Sequence, residues 1–358
     1  MAAGALSRDV EAGGLAAWVR ARPLVVGAVA IAALLLTLVL GVGLGSVRVA
    51  PAETFAVILS RLFGIDIGVT VTPATEVIVW DLRLPRVLTA MLIGCGLAVA
   101  GATFQGLLRN PLADPYVLGT ASGAAVGAAI AVLLPIQLVV IEFGLLHGLA
   151  FVGALASAWL VFRLGGTGGA GGLTRLLLTG YAIGSVLAAV LTMAMYVSGV
   201  ELRQIFSFLL GGLGGSSWVR LVVAAPLIIG SAVLIMARGR SLDGMLLGDA
   251  AAGHLGIDVS RERGILLALA SMATAAAVAI SGLIGFVGLV VPHVVRLLVG
   301  PAAHRVLPIS ALAGAALLSA ADLGARLVGD VPVGVVMALL GAPFFLFLLH
   351  RSRSGYEL

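Results

Sequence analysis

Lysine is absent. All 21 basic residues of this 358-residue chain are arginines, set against 16 acidic ones, for a formal net charge of +5. Cysteine is nearly absent too: Cys95, inside an apolar run, excludes an intrachain disulfide and a thiolate metal cluster. Charge of either sign is scarce, at 10% of residues, where a soluble domain carries about one quarter. With 61% hydrophobic residues and a mean hydropathy of +1.19, the chain reads as a polytopic membrane protein whose core is a bundle of embedded helices.

Each absence removes a class of function. Residues 248–255 (GDAAAGHL) come near the spacing of a phosphate loop, yet His254 and Leu255 stand where that loop needs lysine and a hydroxyl. The chain does not take ATP by that route. Neither H-E-x-x-H nor G-x-S-x-G occurs, and the five histidines are scattered, so no catalytic residue, metal-ligand set or cofactor is expected in the chain itself. The positive charge does not indicate nucleic acid, because the arginines are dispersed between apolar runs rather than gathered on a polar face. Ion-coupled transport is disfavoured, since the apolar runs hold almost no ionisable group. Asp322 and Arg326, one helical turn apart near the end of a run, are the exception and can pair with each other.

What is present is a series of long apolar runs. Ten spans are expected, at roughly 24–46, 84–107, 116–134, 143–164, 174–197, 219–237, 263–281, 284–299, 306–327 and 332–349. A cytoplasmic N-terminus leaves twice as many arginines inside as outside, as the positive-inside rule prefers, and places both termini inside. The run after Arg20 and Arg22 is too long for a signal-peptide core and is taken as a retained span. The expected organisation is a tail at 1–22, one transmembrane domain at 23–350 and a second tail at 351–358.

Outside, residues 51–65 are amphipathic and predict a short interfacial helix. Residues 211–218 (GGLGGSSW) predict a tight re-entrant turn with Trp218 at headgroup level. Inside, 165–172 (GGTGGAGG) is a glycine linker. Gly119, Gly123 and Gly127 share one helix face, and Gly282, Gly285 and Gly288 nearly do, which predicts close helix packing. Asp114 before Pro115 is an N-cap with proline at N1, opening the third span.

Two stretches carry the functional signal. Residues 238–263 (RGRSLDGMLLGDAAAGHLGIDVSRER) are too charged for hydrocarbon, yet they read as one or two short helices with an apolar side. A plain connection needs no such side, so this island is expected to dock on another protein. At the outer entrance of the second span, Arg83 and Arg86 are three apart and share a face, with Pro85 in the first helical turn. Such a pair can anchor in headgroups or clamp the carboxylates of a docking partner.

Four blocks in order give the chain a family. They are RLPRVLTAMLIGCGLAVAGATFQGLLRNPLADPYVLGTASGAAVG at 83–127, SGLIGFVGLVVPH at 281–293, HRVL at 304–307 and LGAPF at 340–344. They closely resemble the permease subunits of ABC importers for iron-siderophores, heme and cobalamin, the FecCD-type permeases. The resemblance implies an all-α, type II ABC importer permease fold of ten spans in a bacterial cytoplasmic membrane. It implies a dimeric pore, two ATPase subunits that hold ATP and magnesium, and an extracytoplasmic substrate-binding protein.

It further implies that 238–262 is the coupling-helix loop entering an ATPase cleft, with Leu242, Asp243, Leu247, Gly248, Asp249, His254, Leu255 and Gly256 at the coupling positions. Arg83, Arg86 and Arg326 would form an outer pocket for glutamates of the binding protein, and the inner gate would lie around Leu173 and Thr174. The implied function is ATP-driven import of an iron complex by alternating access, with hydrolysis on a separate subunit. Cobalamin is the alternative cargo, and an ion-coupled transporter the alternative class.

Overall fold

The computed structural model describes residues 22–45, 47–134, 139–140, 143–166 and 172–353. Most of the expected tails, 1–21 and 354–358, and the middle of the 165–172 linker lie outside the described residues. Proline opens each of the first three helices at a position where its missing N–H costs nothing. These are α1 (Pro23–Gly43), the amphipathic α2 (Pro51–Phe63) and α3 (Pro73–Leu107). Next come α4 (Thr120–Leu133) and α5 (Leu145–Gly165), separated by a two-residue antiparallel ladder of Val139–Val140 with Phe143–Gly144. Then follow α6 (Gly172–Val197), the short α7 (Leu202–Leu210) and α8 (Trp218–Ala237). The elbow α9 (Gly239–Leu246) and α10 (Asp249–His254) precedes α11 (Val259–Ser281), α12 (Val287–Val299), α13 (Ala303–Leu327) and α14 (Val333–Arg353).

Seven of these, α1, α3, α5, α6, α8, α11 and α13, are long and apolar enough to cross a membrane, and α4, α12 and α14 are shorter apolar helices. Together they match the ten expected spans one for one. The second span begins well before residue 84, however. Residues Val77–Arg83 form a π-helical lead-in, and the α-helical register starts only at Leu84, so Pro85 marks a change of register within a longer helix.

The bundle is organised around α3. Its apolar stretch is 83% buried, against 11% for α6. Glycine makes this possible, because a Cβ on Gly94 would collide with the backbone of Gly314 in α13, and one on Gly101 with the backbone of Gly288 in α12. The same close packing joins α4 to α5 through Gly123 and Gly127 against Gly153 and Leu149. Gly119 approaches α5 as well, since a Cβ there would lie 2.7 Å from Ser157 Oγ, although it stands just before α4 with φ +71°. Gly282 and Gly285 fall in the non-helical break between α11 and α12, yet a Cβ on Gly282 would collide with Phe208 O of α7, so Gly282 as well as Gly288 serves close packing.

That break must satisfy its own backbone groups, since hydrocarbon cannot. The Tyr116 hydroxyl donates to Ile284 O at 2.9 Å, and Leu283 N donates to Phe208 O of α7 at 3.2 Å. Just beyond it, the Gln105 amide donates to Leu289 O at 3.0 Å and accepts from Arg296 at 3.0 Å. The 211–218 turn is tied to the same place, with Gly212 N on Ser281 O at 2.8 Å. Trp218 is held by protein rather than by headgroups alone: its Nε1 donates to Trp80 O at 2.9 Å and the two rings lie 5.1 Å apart. Asp114 accepts from Tyr116 N at 2.8 Å, capping a 3₁₀ turn, Pro115–Leu118, that precedes the third span instead of the span itself.

Candidate functional site

Charged clusters mark both ends of the bundle. At the end where α1 stops and α3 starts, the last carbonyls of α1 lack helical donors. Arg83 supplies them: its guanidinium donates to Val42 O at 3.2 Å, to Gly43 O at 3.0 Å and to Val47 O. A side chain on Gly45 would obstruct it, since a Cβ there would lie 2.8 Å from Arg83 Nη2. Arg83 is 6% exposed. The open end of α1 thus draws Arg83 inward, while Arg86, three residues on, turns to α13.

Arg86 and Arg326 meet on Asp322, which is fully buried. Arg86 Nε donates to Asp322 Oδ1 at 2.9 Å, and Arg326 Nε lies 3.0 Å from Asp322 Oδ2, the pairing expected one turn away. Arg326 also donates to Gly41 O at 2.9 Å. A second carboxylate, Asp330, accepts from Arg86 Nη2 at 2.7 Å. The structure thus brings Arg83, Arg86 and Arg326 together in one cleft of about 500 Å³, with Asp330 on its wall. Asp330 was not foreseen, since an acidic residue in a Gly-Asp-Val-Pro turn gives no sequence signal for pairing with a residue so far back in the chain.

At the opposite end, α9 and α10 are bolted to three helices. Leu242 is fully buried, and a Cβ on Gly106 of α3 would lie 3.1 Å from its Cδ1. Met245 and Ala252 are buried beside it. Asp243 caps α13, which has no capping side chain of its own, by accepting from the backbone N–H of Ala303 and of His304, and it lies 2.6 Å from His304 Nδ1. Asp249 accepts from Arg263 of α11 at 2.9 and 3.0 Å, and from Arg109, just past α3, at 2.6 Å. Arg109 donates to Met245 O as well, at 2.8 Å, from a left-handed backbone with φ +47°. Hydrogen bonds from Arg263 hold the Asp249 carboxyl below the usual carboxylate range, helped by the charges of Arg263 and Arg109.

The apolar side read from the sequence is therefore divided. Leu242, Met245 and Ala252 face the bundle, while Leu247 and Leu255 stand out at 71% and 64% exposed. Gly248 and Gly256, with φ of +114° and +79°, bracket α10, and His254 is exposed between them. Arg109 was missed as an elbow residue; its place at the end of the second span was visible, its partners were not. Thr174 is exposed in the first turn of α6, and the side chain of Leu173 lies outside the described residues. Among the described residues no group of three or more His, Cys, Asp or Glu could hold a metal ion.

The FecCD transport family model matches residues 33–351. The chain is 43% identical over 305 residues to a cobalamin import system permease protein, BtuC, of Halobacterium salinarum, covering 85% of this chain and 80% of that one. It is 42% identical over 282 residues to a hemin transport system permease protein, HmuU, of Yersinia pestis, covering 77% and 84%. Among solved structures it is similar to a metal-chelate type ABC transporter in an inward-facing conformation, with a TM-score of 0.77 and 28% identity over 90% of this chain and 97% of that one. A single match thus runs through the hub helix, the rim arginines and the elbow, and the chain belongs to the FecCD transport family as a multi-span ABC importer permease.

Proposed function

We propose that this permease imports an iron complex, a ferric siderophore or heme, across a bacterial cytoplasmic membrane with both termini inside. It acts with a second copy of itself, two ATPase subunits that hold the ATP and magnesium, and an extracytoplasmic binding protein that docks on the rim cleft. The transmembrane domain is 23–350, flanked by tails at 1–22 and 351–358, with 238–262 as the coupling loop. The inner gate lies around Leu173 and Thr174. The cargo passes along the dimer axis, between small and apolar side chains that do not ligate it.

The observation that carries this reading is the elbow. Leu247 and Leu255 form an apolar grip on a platform that Leu242, Asp243 and Asp249 fasten to α3, α13 and α11. A soluble subunit seated there moves the hub helix and its two neighbours as one body, which is what alternating access requires. Cobalamin is the second reading, favoured by the 43% identity to a cobalamin permease.

The test is reconstitution in proteoliposomes with ATPase and binding protein, following ATP-dependent accumulation of heme, a ferric siderophore and cobalamin. Accumulation of the corrinoid alone moves the cargo to the second reading. Uptake that needs an ion gradient and no ATPase overturns the proposal.

A further inference from the structure

We infer that Asp330 is an internal stand-in for the binding protein's carboxylate: it occupies Arg86 in the free permease, and docking exchanges it for an acidic side chain of the partner. The inference rests on the reading of the rim as the docking site.

The rim holds two carboxylates of different kinds. Asp322 is fully buried and bonded to both Arg86 and Arg326, so its removal would take the buried partner from two cations at once. Among the described residues Asp330 is bonded to Arg86 alone, through one short contact, and its side chain is 62% exposed. It sits in the connection between α13 and α14, where Gly329 and Asp330 take φ of +113° and +59° and Val331 N donates to Ala325 O at 3.2 Å. Two successive left-handed residues make the sharp reversal that sets this carboxylate over Arg86. An exposed, singly bonded carboxylate can leave without disturbing the buried pair beneath it.

Arg326, with a side chain 8% exposed, also lines the cleft. Three arginines face two carboxylates, so the rim keeps a net charge of one positive unit that attracts an acidic partner. Because Arg86, whose side chain is 14% exposed, keeps its bond to Asp322, Asp330 can leave it as another carboxylate arrives without stranding the cation. The same competition keeps docking weak enough to be reversed in each transport cycle.

The experiment measures the dissociation constant of the cognate substrate-binding protein for the permease–ATPase complex in lipid nanodiscs. Asp330→Asn retains the left-handed backbone, which asparagine tolerates, and removes the competing charge. It is expected to tighten docking about two- to five-fold, the range of an exposed ion pair. Arg86→Ala is expected to weaken docking, and wild-type docking to fall as salt is raised. If Arg86→Ala weakens docking, or salt does where that variant fails to fold, while Asp330→Asn leaves it unchanged or weaker, the stand-in is overturned and the docking reading survives. If neither Arg86→Ala nor salt has any effect, the docking reading itself falls and takes the inference with it.

Discussion

The two ends of the bundle use the same charge chemistry to opposite ends. At the rim, carboxylate and guanidinium groups turn inward: Asp322 is fully buried, Arg83 is 6% exposed, and their bonds close α1, α3 and α13 onto one another. At the elbow, the carboxylate stays out. The Asp249 side chain is 55% exposed, and the arginines of the bundle reach outward to it. Apolar residues at the elbow are sorted into a buried set that fastens, Leu242, Met245 and Ala252, and an exposed pair of leucines. Burial makes an ion pair costly to break, and exposure makes it adjustable. The rim is accordingly the more rigid of the two ends, and the elbow the more adjustable.

The sharpest way to break this contrast is at Asp322. Asp322→Ala takes the carboxylate from Arg326 and leaves Arg86 with the exposed Asp330, and is expected to cost about 3–5 kcal/mol, read as a lowered midpoint of thermal unfolding in detergent. A loss under about 1 kcal/mol would mean that the rim is no more rigid than a surface pair. Leu242→Ala opens a cavity against Gly106 and is expected to cost about 2–5 kcal/mol, with hydrogen exchange accelerated in α9 and α10 first. Uniform acceleration across the bundle would show that the elbow is not a separable unit.

Acid gives a smaller effect with a definite sign. The folded Asp249 carboxyl lies below its unfolded value, near 3.9, so its contribution is complete above that pH and is lost as pH falls through the depressed folded value. Proteolysis at 248–256 is expected to stay constant from neutral pH to about 4, within the protease's own range, and to rise below it; Asp249→Asn shows the raised rate at neutral pH. Least affected in stability is Leu247→Glu, expected to change it by no more than about 0.5 kcal/mol, since Leu247 touches solvent. That variant nonetheless loses the ATPase subunit in co-purification, and retention of the subunit would detach the coupling role from the exposed leucines.

Much of the fold was legible because hydrocarbon leaves the chain few options. Apolar runs near 20 residues must become helices, and ten runs became ten helices. The elbow was legible because charge at 238–263 interrupts that pattern while an apolar period persists within it. Less legible was α7, a nine-residue amphipathic helix too short for a span signal, whose Ile205 and Phe208 are buried. The polar bonds of Gln105 and Tyr116 were also hidden, since each pairs with residues more than 160 positions away.

Composition and period by themselves determined that this is an embedded bundle of about ten helices with a polar elbow, because burial in lipid and the 3.6-residue turn act locally along the chain. Which arginine closes a helix end, which carboxylate can be exchanged and which leucine is left for a partner were decided only by the fold. Those roles depend on what lies opposite in space, and α13 meets α1 and α3 at the rim from positions 285 and 236 residues away.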